Sequence, residues 1–308
     1  MNFSEILNRF SVDFGRESSH LEPPGSPERS LFSIVLEDTA GRSYILEKIS
    51  SKQKIHKTII INTLKYLNNN GFKYVNNYLG NKIVEYDGGL WQLAPFVESV
   101  QLKRPDYLSD TWRGAAFASF LLGLKEAAAD IYFPGNQFSI KQYIINFMSV
   151  LERNDKEVFA ELKNTAEYLE SSLFRRLGFI RTAFCHGDLH PLNVLWSENS
   201  IRKVIDWEFL GYKPELYDLA ALTGCMGIED PDALTGDLLA SLVEELREEG
   251  FAEEKSWNSF IDLVIAIRFA WMSEWLRKKD HDMQKLEIAY INLLLENKGI
   301  IEKRLNIP

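Results

Sequence analysis

The sequence has little of what several protein classes require. Its 308 residues include two cysteines, Cys185 and Cys225, whose spacing fits neither a zinc motif nor a disulfide scaffold. No apolar run approaches the ~20 residues that span a bilayer, and the opening MNFSEILNRF lacks the basic-then-apolar order of a signal peptide. These absences predict a cytoplasmic protein that has reduced thiols and no membrane association.

Positive charge is also scarce. The chain has 35 Lys and Arg against 44 Asp and Glu, a net charge of -9, so it lacks the basic footprint of nucleic-acid binding and we expect no nucleic-acid partner. The P-loop lysine motif is absent as well. Apolar residues at 45% and charged residues at 26% are typical of a globular chain of one large or two modest domains.

A β-hairpin is predicted in the stretch LFSIVLEDTAGRSYILEKI, residues 31–49. Apolar residues alternate along both halves, and a turn-forming segment separates them. In the second strand Tyr44, Leu46 and Lys48 share one face, because side chains alternate with period two. A lysine at the end of such a strand is, on this feature alone, expected to be a solvated edge residue.

A helix and a second hairpin complete the N-terminal part. Ser50 and Gln53 have the spacing of a capping box, and apolar residues then recur with helical periodicity until Gly71. The segments KIVEY and LWQLAPFV flank an Asp-Gly-Gly turn, which predicts two further strands. Residues 1–97 are therefore expected to form a small lobe with an antiparallel sheet.

After Val97 the pattern becomes mainly helical. Long amphipathic helices are predicted over 111–129, 138–153 and 157–178, and most of the chain from 233 onward has the same periodicity. Residues 98–308 are expected to form a larger helical lobe, in which the only strand-like segment lies in the region of 185–206. The predicted fold class is α+β.

The segment CHGDLHPLNVLW, residues 185–196, contains most of the candidate catalytic and metal-binding side chains. The strand-like VLW and RKVID flank a four-residue turn, so folding the hairpin brings Asn193 close to Asp206. Asp188 precedes Asn193 by five residues, in the loop that enters the same end. An oxygen-only set of this kind suits Mg²⁺, which is bound by one or two carboxylates together with water and substrate phosphates.

Two other interpretations of the segment are weaker. His186 and His190 have the spacing of a helical zinc pair, but the intervening glycine and the following proline disfavour a helix, and no third ligand is near in sequence. A merely polar turn is the other alternative. It leaves unexplained why Asp206 lies within an apolar run, where an ionised carboxylate is costly without a cation or donors.

HGDLHPLN followed by VIDWEF resembles the catalytic loop and metal motif of the aminoglycoside phosphotransferase and choline kinase-like family, relatives of the protein kinases. The resemblance covers most of the chain, and the joint match of both motifs at this spacing is specific. It implies a bilobal protein-kinase-like fold. It also implies ATP- and Mg²⁺-dependent transfer of a phosphoryl group to a hydroxyl of a small-molecule acceptor.

Roles in catalysis carry over by position in the motifs. The resemblance implies that Asp188 is the catalytic base and that Asn193 and Asp206 hold Mg²⁺. His186 would support the loop near Asp206. Asp218, in ELYDLA, matches the aspartate that braces the catalytic loop, although a carboxylate in the first turn of a helix is also expected from the helix dipole.

Nucleotide contacts also carry over. Lys48 matches the strand lysine that contacts the nucleotide phosphates, and the linker at Pro95, Phe96 and Val97 would bind adenine through its backbone. The loop at residues 23–30 occupies the position of the phosphate-covering loop, although it lacks the Gly-rich signature.

One departure from the family pattern concerns the helix after Lys48. The family pairs the strand lysine with a glutamate on this helix, but SSKQKIHKTIIINTLKYL contains no acidic residue. This motivates an alternative, a weakly active or inactive nucleotide-binding regulator. A protein kinase is disfavoured, because only eleven residues separate Asp206 from Asp218, too few for a polypeptide-docking segment.

The acceptor is expected beside Asp188. Trp271 and Trp275 lie one helical turn apart with Glu274 between them, an arrangement that suits an amine, although such tryptophans also pack cores. Glu208 is a further candidate for an amine contact. The acceptors this implies include amino alcohols, amino sugars, homoserine-like amino acids and thiosugars.

Overall fold

The computed structural model describes residues 1–25, 30–135 and 138–308. The chain folds as two compact units, each assembled from separate stretches of sequence. The first unit comprises Met1–Gln101, Glu126–Gly135 and Leu192–Leu210, and the second comprises Leu102–Lys125, Asn136–Pro191 and Gly211–Pro308. The hairpin that follows residue 191 therefore belongs to the same unit as the N-terminal residues.

A five-stranded antiparallel sheet, in the order β1-β2-β3-β5-β4, dominates the first unit. Its strands are β1 (Phe14–Glu17), β2 (Phe32–Asp38), β3 (Ser43–Ile49), β4 (Val84–Tyr86) and β5 (Gly89–Pro95). Both predicted hairpins are confirmed. In the second, Tyr86 pairs with Gly89, so the turn consists of Asp87 and Gly88, which both have positive φ. This is the two-residue turn that matches the twist of paired strands.

One face of the sheet is covered by the N-terminal segment, which the sequence patterns did not reveal. The helix α1 (Phe3–Asn8) places Ile6 and Leu7, both fully buried, against the face that also carries Tyr44, Leu46 and Trp91. Six helical residues and four strand residues are too short for periodicity to be recognised. The period-two alternation of β3 makes Lys48 a member of this same face.

The helix α2 (Lys54–Asn69) follows β3. Gln53 Oε1 accepts a hydrogen bond from the Ser50 backbone N–H at 2.9 Å, so the predicted capping box is confirmed. The helix ends just before Gly71, whose φ of +84° is the left-handed conformation that terminates many helices. Its residues Ile60 and Leu64 are buried and line a cavity with Ile45 of β3.

The second unit is mainly helical, as predicted. Its helices are α3 (Trp112–Ala127, the last two residues of which belong to the first unit), α4 (Ile140–Asn154), α5 (Lys156–Ser171), α6 (Leu173–Arg176), α7 (Tyr217–Glu229), α8 (Asp237–Glu248), α9 (Glu254–Trp257), α10 (Phe260–Lys278) and α11 (His281–Arg304). Within the described ranges, none of these helices is both long and apolar enough to cross a bilayer.

A two-stranded ribbon in this unit departs from the expectation of a single strand-like segment. It pairs β6 (Thr182–Cys185) with β9 (Gly211–Pro214) in antiparallel register. Because more than twenty residues separate the two strands, no local turn signal announces the pair. The ribbon leads at one end into the His186 loop and at the other into α7.

Candidate active site

The hairpin predicted around Asn193 and Asp206 is observed within the first unit. β7 (Val194–Trp196) pairs with β8 (Ile201–Val204), and the backbone N–H of Ile205 donates to the carbonyl oxygen of Asn193 at 2.9 Å. Asn193 is buried. The hairpin therefore brings Asn193 beside the residue that precedes Asp206, as the sequence predicts.

Asp206 has an unusual backbone. Its φ of 67° and ψ of 50° lie in the left-handed region, which aspartate adopts at a cost and which is frequent at functional sites. Gly25, with φ of +94°, passes so close that a Cβ atom there would lie 3.0 Å from Asp206 Oδ2. A larger residue here would crowd the carboxylate and would be strained at this φ. The oxygen donor set and this close backbone cover fit Mg²⁺ held by Asn193 and Asp206.

The predicted phosphate-covering loop, residues 23–30, falls partly outside the described residues, which omit 26–29. Of the described part, Pro24 lines the cavity of the first unit and Gly25 covers the Asp206 carboxylate. The cavity has an apolar lining at residues that include Ile45 and Ala94, and it also has a polar lining. The charged residues of the lining are Glu47, Lys57, Asp206 and Glu208.

Lys48 does not line this cavity. It pairs with Trp91 across the sheet, and its Nζ lies 5.5 Å from the centroid of the Trp91 ring, a cation–π distance. The neighbouring Glu47 points into the cavity instead, because successive side chains of a strand point to opposite faces. Lys48 therefore lies on the sheet face opposite the cavity, which is not the position expected for a lysine that contacts the nucleotide phosphates.

The predicted adenine linker begins at Pro95, the last residue of β5. The carbonyl of Pro95 accepts a hydrogen bond from the Asn76 side chain at 2.8 Å, and the N–H of Phe96 donates to the Ser43 carbonyl at 2.9 Å. Both groups therefore have partners within the unit. Val97 follows directly. Adenine binding by Pro95, Phe96 and Val97 stays a prediction.

Glu208, predicted as an amine contact, is engaged within the first unit. Its carboxylate pairs with the Lys57 ammonium, and its backbone carbonyl lies 2.8 Å from His56 Nε2. Burial, the strongest influence, raises the pKa of Glu208, but the His56 hydrogen bond and the Lys57 charge outweigh it and lower that pKa to about 2. Glu208 is an ionised partner of Lys57, which leaves it poorly suited to an acceptor amine.

The loop that carries Asp188 lies in the second unit, between β6 and Pro191. Asp218, in the first turn of α7, accepts backbone N–H bonds from His186 at 2.6 Å and from Gly187 at 2.7 Å. The His186 ring is buried, and its Nδ1 accepts from the Asp188 N–H at 3.2 Å. The loop that carries Asp188 is thus held in place by Asp218 and His186, the supporting positions that the resemblance implies.

Asp218 is buried, and its ionisation depends on the loop. Burial raises its pKa to about 6, while the Gly187 and His186 N–H groups and the charge of Lys213 counteract the rise. The β6–β9 ribbon links the two partners of this contact, because β6 continues into the His186 loop and β9 continues into α7.

His190 and Trp271 are neighbours in the second unit. His190 Nε2 lies 3.9 Å from Asp188 Oδ2, and its ring meets the Trp271 ring edge-on with centroids 5.9 Å apart. The ring centroid of Trp271 is in turn 5.8 Å from that of Trp275. Trp271 therefore contacts the loop that carries Asp188, and its role as an acceptor contact stays a prediction.

Glu274 is less suited to the predicted role. Its carboxylate pairs with Arg277 at 2.7 Å and with Lys278 at 3.1 Å. These partners, with the Arg277 hydrogen bond strongest, lower the pKa of Glu274 to about 2. Trp275 donates from Nε1 to Glu287 at 3.0 Å, so its ring edge is fixed. Trp271 thus contacts the loop that carries Asp188, whereas Glu274 pairs with cations of its own helix, and the acceptor role of both stays a prediction.

Two residues of the first-unit cavity, Glu47 and Lys57, were not identified from the sequence. Lys57 is one of several lysines in α2, and only its burial distinguishes it from the exposed Lys54 and Lys65. The strand alternation that groups Lys48 with Tyr44 also assigns Glu47 to the other face, so that signal was present. Among the described residues there is no cluster of three or more His, Cys, Asp or Glu side chains arranged to hold a metal.

The sequence profile of the phosphotransferase enzyme family, abbreviated APH, matches residues 30–253. The chain belongs to this family. No curated protein sequence matches it. The phosphotransferase is an enzyme that transfers a phosphoryl group to hydroxyl groups, and the family assignment agrees with the resemblance of HGDLHPLN and VIDWEF.

Solved structures similar to the phosphotransferase share its fold. One is an amicoumacin kinase in complex with AMP-PNP, Ca²⁺ and Ami (TM-score 0.65, 15% identity, covering 94% of this chain and 93% of that one). Another is the GDP complex of aminoglycoside 2'-phosphotransferase-IIIa (TM-score 0.66, 15% identity, covering 95% of this chain and 97% of that one). A third is a choline/ethanolamine kinase family protein from Mesorhizobium loti (TM-score 0.63, 15% identity, covering 94% of this chain and 92% of that one). The predicted α+β protein-kinase-like fold, with a small sheet lobe and a larger helical lobe, is confirmed.

Proposed function

We propose that this phosphotransferase uses ATP and Mg²⁺ to phosphorylate a hydroxyl group of a small, amine-bearing metabolite or aminoglycoside-like acceptor. The observation that carries the proposal is the Asn193–Asp206 hairpin, whose carboxylate lies under Gly25. ATP as donor is supported by the AMP-PNP held in the similar amicoumacin kinase. In this proposal residues 1–97 form the nucleotide-binding lobe and residues 98–308 the catalytic, acceptor-binding lobe.

Asp188 is the base in this proposal. Its carboxylate would orient the acceptor hydroxyl and take its proton as the oxygen attacks the γ-phosphorus, while the bond to the β-phosphate oxygen breaks and ADP leaves. Asp218 and His186 hold the loop so that Asp188 keeps one orientation. Positioning of this kind supplies much of the rate in phosphoryl transfer.

Asn193 and Asp206 would hold Mg²⁺. When bound, the ion neutralises charge on the nucleotide phosphates. Asp206 supplies an anionic oxygen and Asn193 a neutral one, and the backbone cover at Gly25 excludes a side chain from the carboxylate. The two protein ligands leave the remaining coordination positions to phosphate oxygens and water, as Mg²⁺ prefers.

The acceptor would lie against Trp271 and His190. An aromatic face binds an ammonium group or the apolar face of a sugar, so it suits both amino alcohols and amino sugars. His190, 3.9 Å from Asp188, adds a polar group near the base.

The test is a screen of ATP consumption in the presence of Mg²⁺ across amino alcohols, amino sugars, amino acids and thiosugars, with GTP as a second donor. We expect at least one acceptor to stimulate turnover, and Asp188→Asn to lower kcat by about 100-fold or more while nucleotide affinity is kept. Nucleotide binding without stimulation by any acceptor would contradict the proposed acceptor class. Full activity of Asp188→Asn would refute the assignment of the base.

A further inference from the structure

The cavity of the first unit contains a lysine and a glutamate, but on the opposite elements from those that the family resemblance implies. The resemblance implies a lysine on β3 and a glutamate on the following helix. Here β3 contributes Glu47 and α2 contributes Lys57, and both line the cavity together with Asp206. Compared with the family pattern, the positive and the negative charge have thus changed places between β3 and α2.

Lys48 cannot easily take the cavity position. Its side chain lies on the sheet face that is packed by α1, with Nζ over the Trp91 ring. A Cβ atom at Gly89 would lie 3.0 Å from Lys48 Cε, so the aliphatic stem is closely packed there. Reaching the other face would require β3 to shift its register by one residue, which would expose Tyr44 and Leu46.

Glu47 is held in the cavity by the sheet itself. Its partner across the β3–β5 pairing is the fully buried Gln92, whose Nε2 donates to Glu47 Oε2 at 2.6 Å. Burial raises the pKa of Glu47, and the nearby charge of Lys57 counteracts the rise. Glu47 and Lys57 therefore line the same cavity with opposite charges.

Lys57 is the buried cation of this cavity. Only 3% of its side chain is exposed, and its ammonium contacts the Glu208 carboxylate, two residues after Asp206. A buried ammonium group is costly unless anionic groups surround it. Glu208 provides that charge by direct contact, and Glu47 and Asp206 line the same cavity.

We propose, on the basis of the proposed function, that Lys57 rather than Lys48 is the lysine that contacts the nucleotide phosphates, within an inverted pair in which β3 supplies the glutamate and α2 the lysine. Glu47 and Glu208 are positioning residues that hold the ammonium. A phosphate oxygen would replace part of the contact between Lys57 and Glu208. The inversion also accounts for the absence of any acid in α2.

The first experiment compares three lysine-to-methionine variants in the full-length enzyme: Lys57→Met, Lys48→Met and Lys65→Met, the last an exposed control on α2. Affinity for Mg²⁺·AMP-PNP is measured by calorimetry, ATP turnover by coupled assay and folding by thermal melting. We expect Lys57→Met to weaken binding about tenfold and to lower kcat on the order of 100-fold, with Lys65→Met close to wild type. A larger loss of binding in Lys48→Met than in Lys57→Met would overturn the inference.

The second experiment exchanges the two charges. Lys57→Glu should abolish nucleotide binding. The double variant Glu47→Lys/Lys57→Glu should bind Mg²⁺·AMP-PNP at least about tenfold more tightly than Lys57→Glu alone, because β3 then supplies the cation. A double variant that melts like wild type and binds no better than Lys57→Glu would overturn the inverted pair. If the double variant does not fold, Lys57→Arg decides: retention of more nucleotide affinity than in Lys57→Met supports the inference, and equal loss opposes it.

Failure of this inference is distinguishable from failure of the proposed function. A wild-type enzyme that neither binds Mg²⁺·AMP-PNP nor consumes ATP with any acceptor would refute the ATP-dependent phosphotransferase. A wild-type enzyme that binds and turns over, with Lys57→Met equal to Lys65→Met, would refute only the role of Lys57.

Discussion

The carboxylate of Asp218 accepts a hydrogen bond from the backbone N–H of His186 at 2.6 Å. The contact joins residues 32 positions apart, one in the loop after β6 and the other in the first turn of α7. A second bond, from the Gly187 N–H, ends on the other oxygen of the same carboxylate. Charge-assisted bonds of this kind are stronger than neutral ones, so Asp218 fixes the loop that carries Asp188.

Asp218→Asn should destabilise the enzyme and lower its kcat. Asparagine offers one acceptor oxygen for two donors, and its NH₂ group would face one of the backbone N–H groups. We expect a loss of roughly 1–3 kcal/mol in the free energy of unfolding, measured with urea, and a kcat reduced more than the nucleotide KM is raised. Unchanged stability and unchanged kcat together would show that Asp218 does not support the loop.

The stability of the wild-type enzyme should depend on pH through Asp218. Its pKa is raised by burial to about 6, against an ordinary aspartate pKa of ~3.9 in the unfolded chain. Between these values the folded chain holds a proton that the unfolded chain has released, so the free energy of unfolding should fall as pH rises from about 4 to about 6 and then level off.

The check is urea denaturation of wild type and Asp218→Asn across that range of pH. The difference between the two stabilities should decrease toward higher pH by at most about 3 kcal/mol, because the variant lacks the titrating group. A difference that stays constant from pH 4 to pH 7 would contradict the raised pKa of Asp218.

Gly25→Ala should weaken nucleotide binding. A Cβ at this position would lie 3.0 Å from Asp206 Oδ2, and the φ of +94° is unfavourable for alanine. We expect affinity for Mg²⁺·AMP-PNP to fall about tenfold, because the carboxylate that would hold Mg²⁺ must shift. Calorimetric titration against Mg²⁺·AMP-PNP measures the effect.

Gly41→Ala is the matched control. Gly41 has a φ of +79°, but a Cβ there would meet no atom within 4 Å. The substitution should cost about 1–2 kcal/mol of stability from backbone strain and leave nucleotide affinity unchanged. Equal loss of affinity in both variants would indicate strain in the sheet rather than contact with Asp206.

Trp271→Ala should raise the KM for the acceptor and leave the KM for the nucleotide unchanged. Its ring packs edge-on against His190, which lies near Asp188 in the same loop. If the proposed function holds, removing the ring takes away an aromatic face for the acceptor, and in any case it removes a support for His190. Initial-rate kinetics with the acceptor found in the screen measures both constants, and a rise confined to the nucleotide KM would place the acceptor elsewhere.

The sequence predicted most strands, helices and the Asn193–Asp206 hairpin, because each depends on residues that are close in the chain. The sequence predicted structure less well where an element depends on residues that are far apart in the chain or is too short to show a pattern. The β6–β9 ribbon joins strands separated by a long loop, and α1 with β1 is too short for a periodic signal. Glu274 and Glu208 appeared suited to an amine because the sequence does not show the cations that already pair with them.

By itself the sequence determined the family, the α+β class and the motif residues Asp188, Asn193 and Asp206, because short spacings and turns define these features locally. Only the tertiary structure decided which lysine enters the cavity. Lys48 and Glu47 are adjacent, and the packing of α1 on one sheet face leaves Glu47 toward the cavity. The burial of Lys57 beside Glu208 depends on a contact across 151 positions, which no local pattern encodes.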